Sequence, residues 1–247
     1  MNGELVGIIT LGLLILAIVA GMQVSEDRLS VGTKETVKLA ASLVATLAAL
    51  VLGLLVSSAK TSYDTVRNEV IQMSANAIFL DRILGGFGPE SAGARARLRE
   101  TIEENIDRLW PRDAKKSSVL TPPSEAGNAV YMAIQDLVPK DDAQRSLKNE
   151  ATSLVADLGK LRTLLVAQSA PSISKLMLAI LISWLFIIFF SFSMLAPTHA
   201  SAITALVISA LSVCAAIALI LELDRPFGGL IGLSSEPMRK TLTQIGR

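Results

Sequence analysis

The chain holds few side chains able to do covalent or metal chemistry. Its 247 residues include one histidine, His199, and one cysteine, Cys214. His199 stands in a Pro-Thr-His turn with no cysteine or carboxylate beside it, so neither a metal set nor a nucleophilic triad assembles locally. It reads as a plain loop residue in preference to a pH sensor. Cys214 lies in an apolar run, where a thiol serves as a small packing group, and one cysteine excludes a disulfide framework. Gly85-Gly86-Phe87-Gly88 lacks the Lys-Ser/Thr of a phosphate loop and ends a helix instead. No enzyme activity, cofactor or metal is expected.

Another kind of polar chemistry stands out, namely hydroxyls inside a charge-free run. Residues 39–59 contain no Asp, Glu, Lys or Arg for 21 positions, yet carry Ser42, Thr46 and Ser57. Ala41, Ala45, Ala49, Gly53 and Ser57 recur there at every fourth position. Small side chains so spaced let another backbone approach closely, which is helix packing. The sharper reading is a wall facing an aqueous pore, and the two agree if the stripe surrounds an oligomer axis. Ser42, Thr46, Ala49, Gly53 and Ser57 are the pore-lining candidates. A second cluster, Glu222-Leu-Asp224-Arg225, borders a later apolar run and is followed by Pro226-Phe227-Gly228-Gly229. Charges at a span edge sit among lipid headgroups or at a pore mouth, so Glu222, Asp224, Arg225 and Phe227 are candidates for a mouth or interface.

These residues need helices long enough to carry them. Apolar residues are 51% of the chain and mean hydropathy is +0.52, which points to several membrane spans. Residues 5–25 carry no charge and form a first, uncleaved span, since residues 1–4 lack the basic start of a signal peptide. A loop over 26–38 leads to the second span, 39–59, long enough for the ~30 Å hydrocarbon core. No proline or glycine interrupts residues 60–84, where Tyr63, Val66, Val70, Met73, Ala77, Leu80 and Leu84 keep a coiled-coil-like spacing. The spacing predicts one helix over 39–84, about 69 Å long.

After the glycines, Pro89 opens a helix with Leu98, Ile102, Ile106 and Leu109 on one face. Its charges Arg95, Arg97, Arg99, Glu100, Glu103 and Glu104 read as a solvated face. Residues 112–124 are a polar loop, and Ser124 caps a short helix running to Val138. Asp141 or Asp142 starts the next helix, whose seam of Leu147, Ala151, Leu154, Leu158, Leu161 and Leu165 pairs antiparallel with the first. An elbow at 169–172 re-enters the bilayer. Residues 176–221 carry no Asp, Glu, Lys or Arg over 46 positions and are split by Pro197-Thr198-His199 into spans three and four. Bulky span three (Trp184, Phe186, Phe189) is expected to face lipid, and small-residue span four (Ala205, Ser209, Ser212, Ala216) to face protein. Met238, Leu242 and Ile245 form an amphipathic helix suited to the membrane surface.

Charge sets the orientation. Lys60, Arg67, Lys160, Arg162, Lys175, Arg225, Arg239 and Lys240 flank one side, and Arg28, Lys34 and Lys38 the other. The positive-inside rule places both termini and the soluble middle in the cytoplasm. That middle, 60–175, balances 16 Lys/Arg with 15 Asp/Glu, so it offers no basic face for nucleic acid.

Several runs carry a family resemblance. They are Met194-Leu-Ala-Pro197, Ala210-Leu-Ser-Val-Cys-Ala-Ala216 and, most specifically, Leu221-Glu-Leu-Asp-Arg-Pro-Phe-Gly-Gly-Leu-Ile231, with Gly53-Leu-Leu-Val-Ser-Ser58, Tyr63 and Glu69…Ala75-Asn-Ala-Ile78. Together with the order of two spans, helical region and two spans, they resemble the bestrophin-like family of bacterial membrane proteins, more distantly similar to the true bestrophins. The resemblance implies a homo-oligomer, a pentamer in true bestrophins, with the second span lining an ion pore. True bestrophins narrow that pore with phenylalanines, of which residues 39–59 have none. Calcium gating is not carried over either, because only Glu222 and Asp224 stand where the family's acidic cluster would be.

The expected protein is all-α: a four-span integral membrane protein of the bacterial inner membrane with long helices extending into a cytoplasmic helical bundle. Its expected divisions are 1–59 (spans one and two), 60–175 (bundle), 176–222 (spans three and four) and 223–247 (turn and short helix). The function expected is an oligomeric bestrophin-like ion channel, with lipid bilayer, sister subunits and ions as partners. The alternative is a non-conducting scaffold or accessory subunit that binds another membrane complex through the stalk.

Overall fold

The computed structural model describes residues 3–24, 30–110, 125–168, 173–197, 199–228 and 231–245. The 112–124 loop, the Ser124 cap, the 169–172 elbow and Thr198 lie outside the described residues. In chain order the α-helices are α1 (Gly3–Met22), α2 (Val31–Phe87), α3 (Ala92–Leu109), α4 (Glu125–Gln135), α5 (Asp142–Gln168), α6 (Lys175–Leu195), α7 (Ala200–Leu223) and α8 (Glu236–Gln244). The fold is all-α, and α1, α2, α6 and α7 are long and apolar enough to cross a membrane. The chain divides into two compact units, Met1–Thr61 with Pro171–Asp224, and Ser62–Ala170 with Arg225–Arg247.

In the first unit α1 packs on α6 and α7. Gly21 makes the close approach possible, because a β-carbon there would lie 2.6 Å from the Phe190 carbonyl oxygen. The Ser193 hydroxyl donates to the Ile18 carbonyl at 2.6 Å, cross-linking the two helices. Within this unit the bulkier of the two helices is the one more covered by its own chain. Span three is the more buried helix, with Phe189 in the interior, while Ala205, Ser209 and Ser212 of span four are exposed. The small residue that lets backbones approach is supplied by α1, so the bulk of α6 has somewhere to pack.

In the second unit the lower half of α2 buries Val66, Val70, Met73, Ala77, Leu80 and Leu84 against α3, α4, α5 and α8. Each large side chain so removed from water contributes roughly 1.5–3 kcal/mol. Three contacts show that α5 runs antiparallel to α2: Gln144 Nε2 donates to the Phe87 carbonyl at 2.8 Å, Leu147 lies over Gly86, and Gln168 hydrogen-bonds Glu69. Gly88, at φ 119°, ends α2 in a backbone region that favours glycine. The buried Ser91 hydroxyl then closes the corner on the carbonyls of Leu84 and Gly88. Asp141 caps α5, its Oδ1 accepting the Gln144 amide at 2.7 Å.

Several expectations are corrected. α2 begins at Val31, well before Leu39, because the Ser30 hydroxyl accepts the Thr33 amide at 3.2 Å and caps it. α4 ends at Gln135, short of Val138. Leu158 is only part-buried, whereas Leu80 is fully enclosed. Arg95 is no solvated charge: its Nε and Nη2 each lie 2.8 Å from the carboxylate of Asp81, itself 4% exposed. α8 is not left for a membrane surface. Met238 and Ile245 are buried in the bundle core with Leu242 against it, and Arg99 Nη1 donates to the carbonyls of Leu242 and Ile245 at its end. An amphipathic helix buries its apolar face wherever a complementary one is nearest, and here its own chain supplies one.

Candidate functional site

At 100° per residue, the upper half of α2 sorts into three sectors. Ala41, Ala48, Leu55 and Ala59 are buried and lie within an arc of about 40°. On a separate arc of about 80°, Ser42, Thr46, Ala49, Gly53 and Ser57 are all exposed. Leu39, Leu43, Leu47, Leu50 and Leu54 are exposed beside them. The structure therefore gathers the five pore-lining candidates onto one uncovered face. The expected stripe of small residues at every fourth position behaves differently. A step of four residues turns about 40° past a full circle, so the stripe winds from buried Ala41 to exposed Ser57.

The face carries oxygen but no formal charge. Ser42 Oγ donates to the Lys38 carbonyl at 2.8 Å and Thr46 Oγ1 to the Ser42 carbonyl at 3.0 Å. With their protons turned back into the helix, these hydroxyls present lone pairs outward. A β-carbon at Gly53 would meet nothing within 4 Å, so no neighbour in the chain requires glycine there.

The second cluster is distributed. Glu222 and Asp224 end α7 in the first unit, Asp224 as its C-cap. Arg225 and Phe227 belong to the second unit, where the Gly228 amide donates to the Arg225 carbonyl at 3.1 Å and the Leu233 amide to the Pro226 carbonyl at 2.7 Å. The Phe227 ring meets Trp110 edge-on with centroids 5.6 Å apart. Trp110 Nε1 in turn donates to the Leu233 carbonyl at 2.6 Å. This packing holds the Pro-Phe-Gly turn against the bundle core. His199 caps α7 in an extended conformation and is exposed, and Cys214 is buried.

Two buried carboxylates escaped the sequence reading. Asp81 takes the bidentate pair with Arg95 described above. Glu69 is 7% exposed, and its Oε2 has no hydrogen-bond partner among the described residues. Burial pushes its carboxyl above the ordinary range, and the hydrogen bond from Gln168 opposes that. A signal was present in both cases: Glu69 and Asp81 fall three or four residues from seam positions Val66, Met73, Ala77 and Leu84, on the side that packs.

No curated protein matches the chain in sequence. A crystal structure of a mutant bacterial bestrophin homologue from Klebsiella pneumoniae has the same fold, with a TM-score of 0.70 over 100% of both chains at 17% identity. A model of the Bestrophin-like domain matches residues 6–238. With nearly its whole length matched, this chain belongs to the bestrophin-like family of membrane proteins.

Proposed function

We propose that the protein is an oligomeric ion channel of the bacterial inner membrane, its subunits arranged so that the exposed face of α2 lines the pore. The observation that carries this reading is the sorting of α2: one face is buried by its own chain, while the small, hydroxyl-bearing face is left uncovered. A lipid-facing helix has no use for Ser42, Thr46 and Gly53 on one arc, because lipid rewards bulky apolar side chains there. Uncharged hydroxyl oxygens assist an ion without holding it, as conduction requires. The adjacent leucines give each subunit an apolar flank for its neighbour, and the solved structure that shares the fold is that of a bacterial bestrophin homologue. Flanking charge supports a cytoplasmic bundle with both termini inside. Glu222 and Asp224 are then placed at the edge of the spans, where they meet headgroups or a pore mouth.

The scaffold reading is favoured by one observation. Ser42 and Thr46 satisfy their own protons, as hydroxyls on dry packed helix faces also do. Ion flux from liposomes, with sizing of the same samples, separates the two. A channel passes ions, and Gly53→Leu blocks the flux while the assembly keeps its size. A scaffold passes none at any salt, pH or voltage, and Gly53→Leu breaks it into smaller species. An unchanged flux and size in Gly53→Leu would remove this face from both readings.

A further inference from the structure

In the second unit, Glu69 is buried without being fully satisfied. It falls between Val66 and Met73 on the packed face of α2, and its Oε2 has no hydrogen-bond partner among the described residues. Buried polar atoms are nearly always paired, so an orphan oxygen needs a cause. The side-chain amide of Gln168 bonds the carboxyl, which leaves Oε1 as the oxygen it reaches. Gln168 is the last residue of α5. Leu165 is the last fully buried residue of that helix, with Val166 half-buried and Ala167 exposed. A helix end lacks intrahelical partners for its carbonyls and opens more readily than its middle. Beyond Leu165 the Gln168 side chain fastens this end to α2.

A proton gives the orphan oxygen its partner. A carboxylic acid and a primary amide pair through two hydrogen bonds: the amide N–H donates to one carboxyl oxygen, and the acid O–H donates to the amide oxygen. In the anion the second bond is lost, because Oε2 and the amide oxygen are then both acceptors. Titratable groups stand on the helices packed around this seam: Tyr63, Asp64 and Arg67 on α2, Glu104 and Arg108 on α3, Tyr131 on α4, Arg162 on α5, and Arg239 and Lys240 on α8. Arg162 has Arg108 and Glu104 as its charged neighbours, and Lys240 pairs with Glu236 at 2.7 Å. What moves the Glu69 carboxyl is burial, which raises its pKa, and then Gln168, which lowers it.

We infer that Glu69 and Gln168 form a proton-operated clasp: the neutral carboxyl holds the end of α5 with two hydrogen bonds, and loss of its proton leaves one and loosens the last turn. The sign follows from the raised folded-state value. The clasp is closed at and below the ordinary carboxylate range and opens as pH rises through the higher folded one. It does not depend on whether the α2 face conducts.

The test is amide hydrogen exchange of the full-length protein in phosphatidylcholine nanodiscs from pH 4 to pH 8, corrected for the intrinsic pH dependence of exchange. In wild type the protection of residues 165–168 should fall about tenfold across that range, the worth of one hydrogen bond. Residues 98–106 of α3 should keep theirs, which shows that the bundle stays folded. Glu69→Gln replaces the acid with a second amide, which pairs with Gln168 through two hydrogen bonds at any pH. Its last turn should stay protected throughout. Gln168→Glu sets two carboxyls face to face, so the fall should be steeper than in wild type as both lose their protons and repel. The clasp is overturned if wild-type protection at 165–168 does not change with pH. It is overturned equally if Glu69→Gln keeps the wild-type fall, because another group then titrates, or if Gln168→Glu falls no further than wild type.

Discussion

The two halves of α2 use one helix in two ways. From Ser62 to Phe87 its apolar seam is closed by the chain itself, and Val66, Leu80 and Leu84 are at most 1% exposed. From Val31 to Thr61 only one flank is buried, through Ala41, Ala48, Leu55 and Ala59. There Leu43 stays 65% exposed and Leu50 67%. The lower half also buries polar groups and must satisfy them, as Asp81 does with Arg95 and Glu69 does only in part. The upper half buries no charge and turns its hydroxyls back on its own carbonyls. A soluble helix must finish its packing within the chain, because water penalises every apolar face left open. A membrane helix is released from that demand, since lipid covers leucine as well as protein does. The lower half is therefore a structural element, and the upper half is free to serve a surface function.

The largest test of that contrast is Leu80→Asp. It places an unpaired carboxylate in the closed seam and should cost about 5 kcal/mol, seen as lost folded yield. Leu158→Asp, at a half-buried position on α5, should cost about half as much by thermal melting. Equal tolerance at both sites would break the picture of a closed lower seam. Next, Asp81→Ala removes one partner of a buried pair. Because Arg95 keeps some access to water, the loss should fall near the lower end for such pairs, about 3 kcal/mol. A loss no greater than that from Arg97→Ala, whose partner Glu100 is exposed, would show that the pair is ordinary surface charge.

Glu69 sharpens the comparison through pH. Its folded-state pKa is raised, so the folded chain holds the proton where the unfolded chain has released it. Stability from this group is then highest at or below the ordinary carboxylate range. It is lost as pH rises through the higher folded value. Glu69→Gln removes that slope and should raise the melting temperature at pH 8, with little effect at pH 4. A variant as pH-dependent as wild type would place the proton elsewhere. The smallest expected effect is in the upper half, where Thr46→Val keeps shape and loses one hydroxyl. Melting and oligomer size should not change, and only conductance in planar bilayers should. A shift in assembly instead would mean that the hydroxyl packs against a neighbour.

Much of this was legible in the residue order, and for a physical reason. Charge-free runs of bilayer length, the 4–3 seam from Val66 to Leu84, the glycines after it and Asp141 before α5 are local signals. Hydrophobic period and cap chemistry act within one helix, so they can be read along it. The five exposed residues of α2 also share an arc by helix geometry alone. Tertiary structure decided which arcs are covered. It buried Ala41 and uncovered Ser57 although one stripe contains both, and it sent α6 inward because Gly21 of α1 was there to receive it. It took the apolar face of α8 into the bundle and joined Asp81 to Arg95 across 14 residues. Each of these depends on what a second element places opposite, and an amphipathic pattern states that a face seeks cover without stating what will cover it.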